Sequence, residues 1–328
     1  MRNKIIFIYT FFLTITFLRA QVKPTLQYDS SSGNYLLLYH GLTQDQRDTL
    51  YQVVYEPRSK LDPAVKIKVS KFTDQNFFSY AYTLLNGSLS VQRLSDFYLD
   101  IFSHIANIGV PDTTWETGFF SYIPVFSWNN FRSKEGLPHP YDGIARDSSL
   151  YGFSFNSSGL PVIVKAYFSG RRSIPLIFPD PDEPPSDAES IIDSLTVFPN
   201  DALIKFTIGP SDPPFPFVPL DFIDTLKSYV NQSFSLGWIA DKKEKDDKDK
   251  GGKIVKELIK YLDAAHAQLA KNKTKEAKKK LEEFVKKVEE YYGKNSEEEK
   301  EKKERGSFTS EAYALLKYNT EYLIGQLK

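Results

Sequence analysis

Four histidines, His40, His104, His139 and His266, are the only imidazoles in 328 residues. They form no HExxH, no HxH and no pair at i, i+4, so no zinc motif is written along the chain. The absence of cysteine excludes disulfides, thiolate metal sites, a CxxC redox centre and a cysteine nucleophile. No GxSxG elbow, Walker loop or GxGxxG turn occurs. The one His–Asp neighbourhood is His139-Pro140-Tyr141-Asp142-Gly143, whose prolines and glycine predict a loop. The sequence thus names no catalytic residue, no metal ligand and no cofactor. A dispersed triad or carboxylate pair leaves no trace in one sequence, so a secreted hydrolase with a scattered carboxylate or serine site stands as an alternative.

Binding chemistry has stronger local signals. The densest aromatic stretch, WETGFFSYIPVFSWNNF at 115–131, holds Trp115, Tyr122 and Trp128, with Asn129 and Asn130 beside the last tryptophan. Flat apolar rings next to amide groups are what a sugar or peptide ligand needs, so these five are the candidate ligand-binding residues; the competing reading makes them core. The acidic run PDPDEPPSDAE at 179–189 matches no calcium spacing and reads as an exposed loop. Lys271, Lys273, Lys275, Lys278, Lys279, Lys280, Lys286 and Lys287 crowd one helical stretch, interleaved with Glu276, Glu282 and Glu283. Such a patch suits an anionic polymer or lipid headgroups, but also a solvated face with i, i+4 ion pairs. Asn319 falls on an otherwise apolar stripe, where it either bonds to a neighbouring helix or lies at the stripe's exposed edge.

These residues need elements to hold them. Lys+Arg and Asp+Glu are equal at 42 each, but residues 21–240 carry 16 basic against 23 acidic groups and residues 241–328 carry 23 against 19. Proline, glycine and tryptophan concentrate before 241; lysine, glutamate, alanine and leucine after it. A neutral total gives no reason to expect nucleic acid as a partner. Before 210, β-branched and aromatic runs at 25–29, 35–40, 51–56, 64–70, 77–84, 96–101, 149–156, 161–168 and 203–208 predict strands. The alternation in 96–101 predicts a half-buried strand, and 149–156 with 161–168 predicts a hairpin. After 219, Phe222, Leu226 and Val230 form a helical stripe that Asp221 is placed to cap. Val255, Leu258, Ile259, Leu262 and Leu269 form a second, and Ala277, Leu281, Phe284, Val285, Val288 and Tyr292 a third. Asn272-Lys273-Thr274 separates those two as an antiparallel pair. Ala312, Leu316, Leu323 and Leu327 mark the last helix. The expected fold is an immunoglobulin-like antiparallel β-sandwich at 21–210, then a small helical bundle at 219–328 with a charged linker at 241–252.

The start, MRNKIIFIYTFFLTITFLRA, places Arg2 and Lys4 before an apolar run ending near Ala20. This predicts a signal peptide at 1–20 and a protein that is secreted, at the cell surface or periplasmic, with no membrane span in its mature chain. SLYGFSFNSSGLPVIVKAYFSG at 149–170 and NDALIKFTIGP at 200–210 resemble segments of exported bacterial proteins of uncharacterised function. The leucine and alanine spacing from Ile254, with SEAYALLKYNTEYLIGQL at 310–327, resembles a FIMAH-type helical module. The resemblance implies ligand binding or attachment outside the cell and names no catalytic residue. The expected function is therefore non-catalytic binding to a cell-surface or matrix polysaccharide or protein. Self-association in a structural subunit is the third reading.

Overall fold

In a computed structural model, the described residues are 23–43, 45, 47–72, 77–130, 143–174, 176–178, 186–240, 252–293 and 308–327. The expected signal segment, the acidic run up to 185, the 139–142 loop, the linker at 241–251 and residues 294–307 lie outside them. The chain divides into one unit of residues 1–56 and 174–196 and a second of 57–173 and 197–328. The first three strands have a core of their own, and the C-terminal helices share one with the remaining strands.

In the first unit, β1 (Thr25–Asp29), β2 (Asn34–Leu42) and β3 (Asp48–Tyr55) form an antiparallel sheet in that order. The Asp29 carboxylate accepts from Ser31 N at 2.9 Å and Ser31 Oγ at 2.7 Å, closing the first turn. Leu37, Tyr39, Val53 and Tyr55 pack with Ala188 and Ile192 of α1 (Ser186–Thr196). The end of the acidic run is thus helical rather than loop. Asp187 and Glu189 stand in its first turn, where carboxylates favour the helix dipole.

The second unit holds β4 (Pro63–Lys71), β5 (Phe78–Asn86), β6 (Leu94–Asp100), β7 (Ile105–Gly109), β8 (Trp115–Phe119), β9 (Val125–Asn130), β10 (Ser148–Ser157), β11 (Leu160–Gly170) and β12 (Leu203–Ser211). They form two antiparallel sheets, ordered β4-β5-β10-β7 and β12-β11-β6-β9-β8. Rings from both meet in one core: Tyr82 of β5 lies 5.6 Å from Phe97 of β6 and 6.1 Å from Trp128 of β9. The expected 149–168 hairpin does not form. β10 pairs with β5 and β7, whereas β11 pairs with β12 and β6. Two residues, Ser158 and Gly159, carry the chain from one sheet to the other. Gly159 fits because a Cβ there would meet the Ser103 Cβ at 2.6 Å and the Ser211 nitrogen at 2.9 Å. Neither is β6 half-buried. Phe97 and Leu99 face the shared core, while Tyr98 packs on the other face with Val125, Tyr167, Phe120 and Phe198.

The helices are α2 (Pro219–Ser235), α3 (Lys253–Leu269), α4 (Thr274–Gly293) and α5 (Ser310–Gln326). Asp221 is not the cap of α2; it lies in the first turn, behind Val218 and Pro219. Asn272, at φ 55°, breaks α3 from α4 where expected. The pair is antiparallel, since Tyr291 Oη near the end of α4 donates to Glu257 Oε2 near the start of α3 at 2.6 Å. The helix α5 is buried on more than one side, with Ala312, Ala314, Leu315, Leu316 and Leu323 all enclosed. It packs against β4 of one sheet and against β11 and β12 of the other.

Two prolines explain how α5 is held. Pro161 and Pro210 are opposite each other in the β11–β12 ladder. Neither has an N–H, so this is a non-hydrogen-bonded pair, with both carbonyls turned away from the partner strand. The Pro210 carbonyl accepts from Phe102 N at 3.0 Å. The Pro161 carbonyl accepts from Asn319 Nδ2 at 2.7 Å. Asn319 is thus buried and bonded to a strand rather than to another helix, and it also donates to Leu315 O at 2.8 Å. One residue earlier, Tyr318 Oη donates to Val69 O of β4 at 3.1 Å. Replacing Asn319→Leu leaves the Pro161 carbonyl buried without this donor. A loss of about 1–3 kcal/mol is expected, measured as a lowered urea midpoint.

Candidate functional site

The strands β8 and β9 pair from Trp115↔Asn130 to Phe119↔Phe126 and place the five candidate ligand residues in different environments. Trp128 is fully buried, stacked on Phe97 at 5.2 Å, with Nε1 donating to Gly109 O at 3.0 Å. Trp115 is buried edge-on to Phe153 at 4.8 Å. Neither ring offers a face to a ligand; both pack the core, as their alternation on the strands requires. Asn130 is buried too, its Nδ2 donating to Thr114 Oγ1 at 2.7 Å and its carbonyl accepting from Arg171 Nη2 at 2.7 Å. The structure therefore places Trp115, Trp128 and Asn130 in the core.

Two of the five remain at the surface. Asn129 is half-buried, with Nδ2 donating to Ser127 Oγ at 2.9 Å. Tyr122 is 83% exposed at the hairpin tip, and Phe119 beside it is 59% exposed. The tip is anchored from below. Phe120 stacks on Phe198 at 5.0 Å, Ile123 packs into the same cluster, and Phe120 N donates to Val125 O at 3.1 Å. Phe120 and Ile123 thus turn inward while the Tyr122 ring faces solvent. The arrangement offers flat apolar area on a fixed support, while the Ser127 hydroxyl on the strand behind it is buried and donates to Gly118 O at 3.2 Å.

A charged cluster absent from the sequence reading lies at the other end of β6 and β11. Arg58 Nη2 pairs with the buried Asp96 carboxylate, and Arg58 Nε donates to Gly170 O at 2.9 Å. Arg172 pairs with Asp201, which also accepts from Arg58 N at 2.8 Å. Each carboxylate is matched by a guanidinium, an arrangement that fixes the loops carrying Arg58 and Asp201 to the sheet. Burial raises the Tyr98 hydroxyl above its ordinary range, against the opposing pull of Arg58. Nearby, Tyr167 Oη donates to Asp100 Oδ1 at 3.2 Å. Burial pushes the Asp100 carboxyl up from 3.8 and, with the Asp100 charge, the Tyr167 hydroxyl to about 12.

In the first unit, His40 Nδ1 lies 2.9 Å from Asp48 Oδ1. Among the described residues no serine or threonine hydroxyl bonds to that ring, so no triad is assembled there. Nor do the described residues gather three His, Asp or Glu side chains for a metal ion. The lysine-rich α4 is laced with carboxylates: Lys280 to Glu283 at 2.7 Å and Lys287 to Glu290 at 2.8 Å. No described helix is long and apolar enough to cross a membrane. No protein-family model and no curated protein matches the sequence.

The core and surface roles separate by mutation. Trp128→Ala should cost about 3–5 kcal/mol in chemical denaturation, because it empties a ring site and strips Gly109 O of its donor. Tyr122→Ala should stay within about 0.5 kcal/mol. The raised Asp100 value predicts a pH effect. Its folded value exceeds its unfolded one, so its favourable contribution is present below 3.8 and lost as pH rises through the raised value. Asp100→Asn should therefore raise the melting temperature at pH 7 by more than at pH 3.

Proposed function

We propose that the protein is an exported, non-catalytic binding or attachment protein whose ligand is a cell-surface or matrix polysaccharide. The observation that carries this reading is the β8–β9 tip, where Phe119 and Tyr122 face solvent from a loop anchored by Phe120 and Ile123. Aromatic faces held by a rigid scaffold bind sugar rings at low entropic cost. The basic, then apolar, opening of the sequence supports export. Two antiparallel sheets sharing one core support an immunoglobulin-like sandwich, although here the C-terminal helices join that core. The spacing of those helices supports a FIMAH-like attachment role for α3 to α5.

The test is a glycan array on the full chain, with Phe119→Ala and Tyr122→Ala as variants. Binding to at least one polysaccharide class should fall about tenfold or more in each, with unchanged melting temperature. Hydrolysis of an arrayed glycan, lost on a single Asp, Glu or Ser substitution, would favour the hydrolase alternative instead.

A further inference from the structure

The strand β12 lies at the edge of its sheet. The Pro161–Pro210 pair fixes the phase of its ladder, and the register runs without a shift to Phe168↔Leu203. The even-numbered residues of β12 therefore direct both backbone N–H and C=O away from β11. Along this outer edge the two halves differ. Pro210 O is taken by Phe102 N at 3.0 Å, and Ile208 O accepts from Tyr82 Oη at 2.9 Å. Among the described residues, nothing bonds to the outward groups of Ile204 and Phe206. Their side chains are 44% and 47% exposed and share the outer face of the sheet. Lys205 lies between them on the opposite face, exposed, with no described carboxylate paired to it.

We propose that 204–206 is a docking edge for an extended segment of a protein partner in which an acidic residue stands between apolar ones. The open N–H and C=O groups of Ile204 and Phe206 would add the segment as a further antiparallel strand. The apolar side chains of the segment would cover Ile204 and Phe206, and its carboxylate would face Lys205. The same charge argues against a second copy of this edge. Two β12 strands paired about Lys205 would set the lysines directly opposite one another, with like charges at cross-strand contact. Two of the other edges of the second unit, β4 and β7, are less open. β4 is overlaid by α5 through Tyr318, and β7 is bent at Asn107, with φ 50°. This surface is separate from the Tyr122 tip and does not depend on the glycan reading.

The probe is a fluorescein-labelled peptide of about nine residues alternating valine with glutamate, titrated against the full chain by anisotropy. A matched valine–lysine peptide is the control. The acidic peptide should bind and the basic one should not. Phe206→Pro removes an outward N–H without breaking any bond to β11, and it should weaken binding about tenfold or more. Lys205→Glu, a surface change that keeps the edge intact, should invert the preference between the peptides. Far-UV circular dichroism checks that each variant is folded, and Ile204→Pro replaces Phe206→Pro if that variant is not. Equal binding of both peptides, binding of neither, or binding unchanged by Lys205→Glu overturns the proposal. A concentration-dependent dimer that dissociates on the proline substitution also overturns it, by assigning the edge to a second copy.

Discussion

Two prolines facing each other across an antiparallel ladder constrain much of the second unit. Pro161 and Pro210 cannot bond to one another, so both carbonyls must find donors elsewhere or remain buried and unpaired. Asn319 satisfies one and the Phe102 amide the other. The first bond ties α5 to β11. The second holds the segment leaving β6 against the end of β12, on its way to β7 in the opposite sheet. The same pair sets which residues of β12 face outward. The packing of the last helix, the crossing between sheets and the character of the free edge thus share one local cause.

Around this point the aromatic core does the bulk packing. Phe97 stacks on both Trp128 and Phe168, at 5.2 and 5.4 Å, and Tyr82 reaches across from the other sheet. Its hydroxyl ends on Ile208 O rather than in solvent, so a large ring is buried without stranding its polar tip. Burial holds the hydroxyls of Tyr80 and Tyr82 well above the ordinary tyrosine range. Both stay protonated donors across the pH range in which the protein would work.

Local pattern was legible in the sequence where it was strong. The strand at 25–29 and the break at Asn272 lie where alternation and turn chemistry put them. Partners were not legible. Alternation in β10 and β11 is equally compatible with a hairpin and with a crossing between sheets, because a period of two encodes a buried face and not the neighbouring strand. The alternation in β6 suggested one wet face, but Tyr98 and Asp96 are covered by residues distant in sequence, including Phe198 and Arg58. The candidate site had the same difficulty. Trp128 and Tyr122 stand six residues apart with similar composition around them, and only the position of the turn, between Phe119 and Val125, leaves Tyr122 outside while Trp128 enters the core. The Arg58–Asp201 contact spans 143 residues and has no local signature at all.

The bond from Tyr318 to Val69 has a kinetic meaning. It joins residues 249 apart, so a helix near the C-terminal end completes a core begun by one of the earliest strands of its unit. Contacts of such long separation form late and slow the approach to the native state. Until α5 arrives, the edge of β4 and the apolar residues beneath it stay uncovered. The second unit is thus closed by a helix distant in sequence as well as by its own strands.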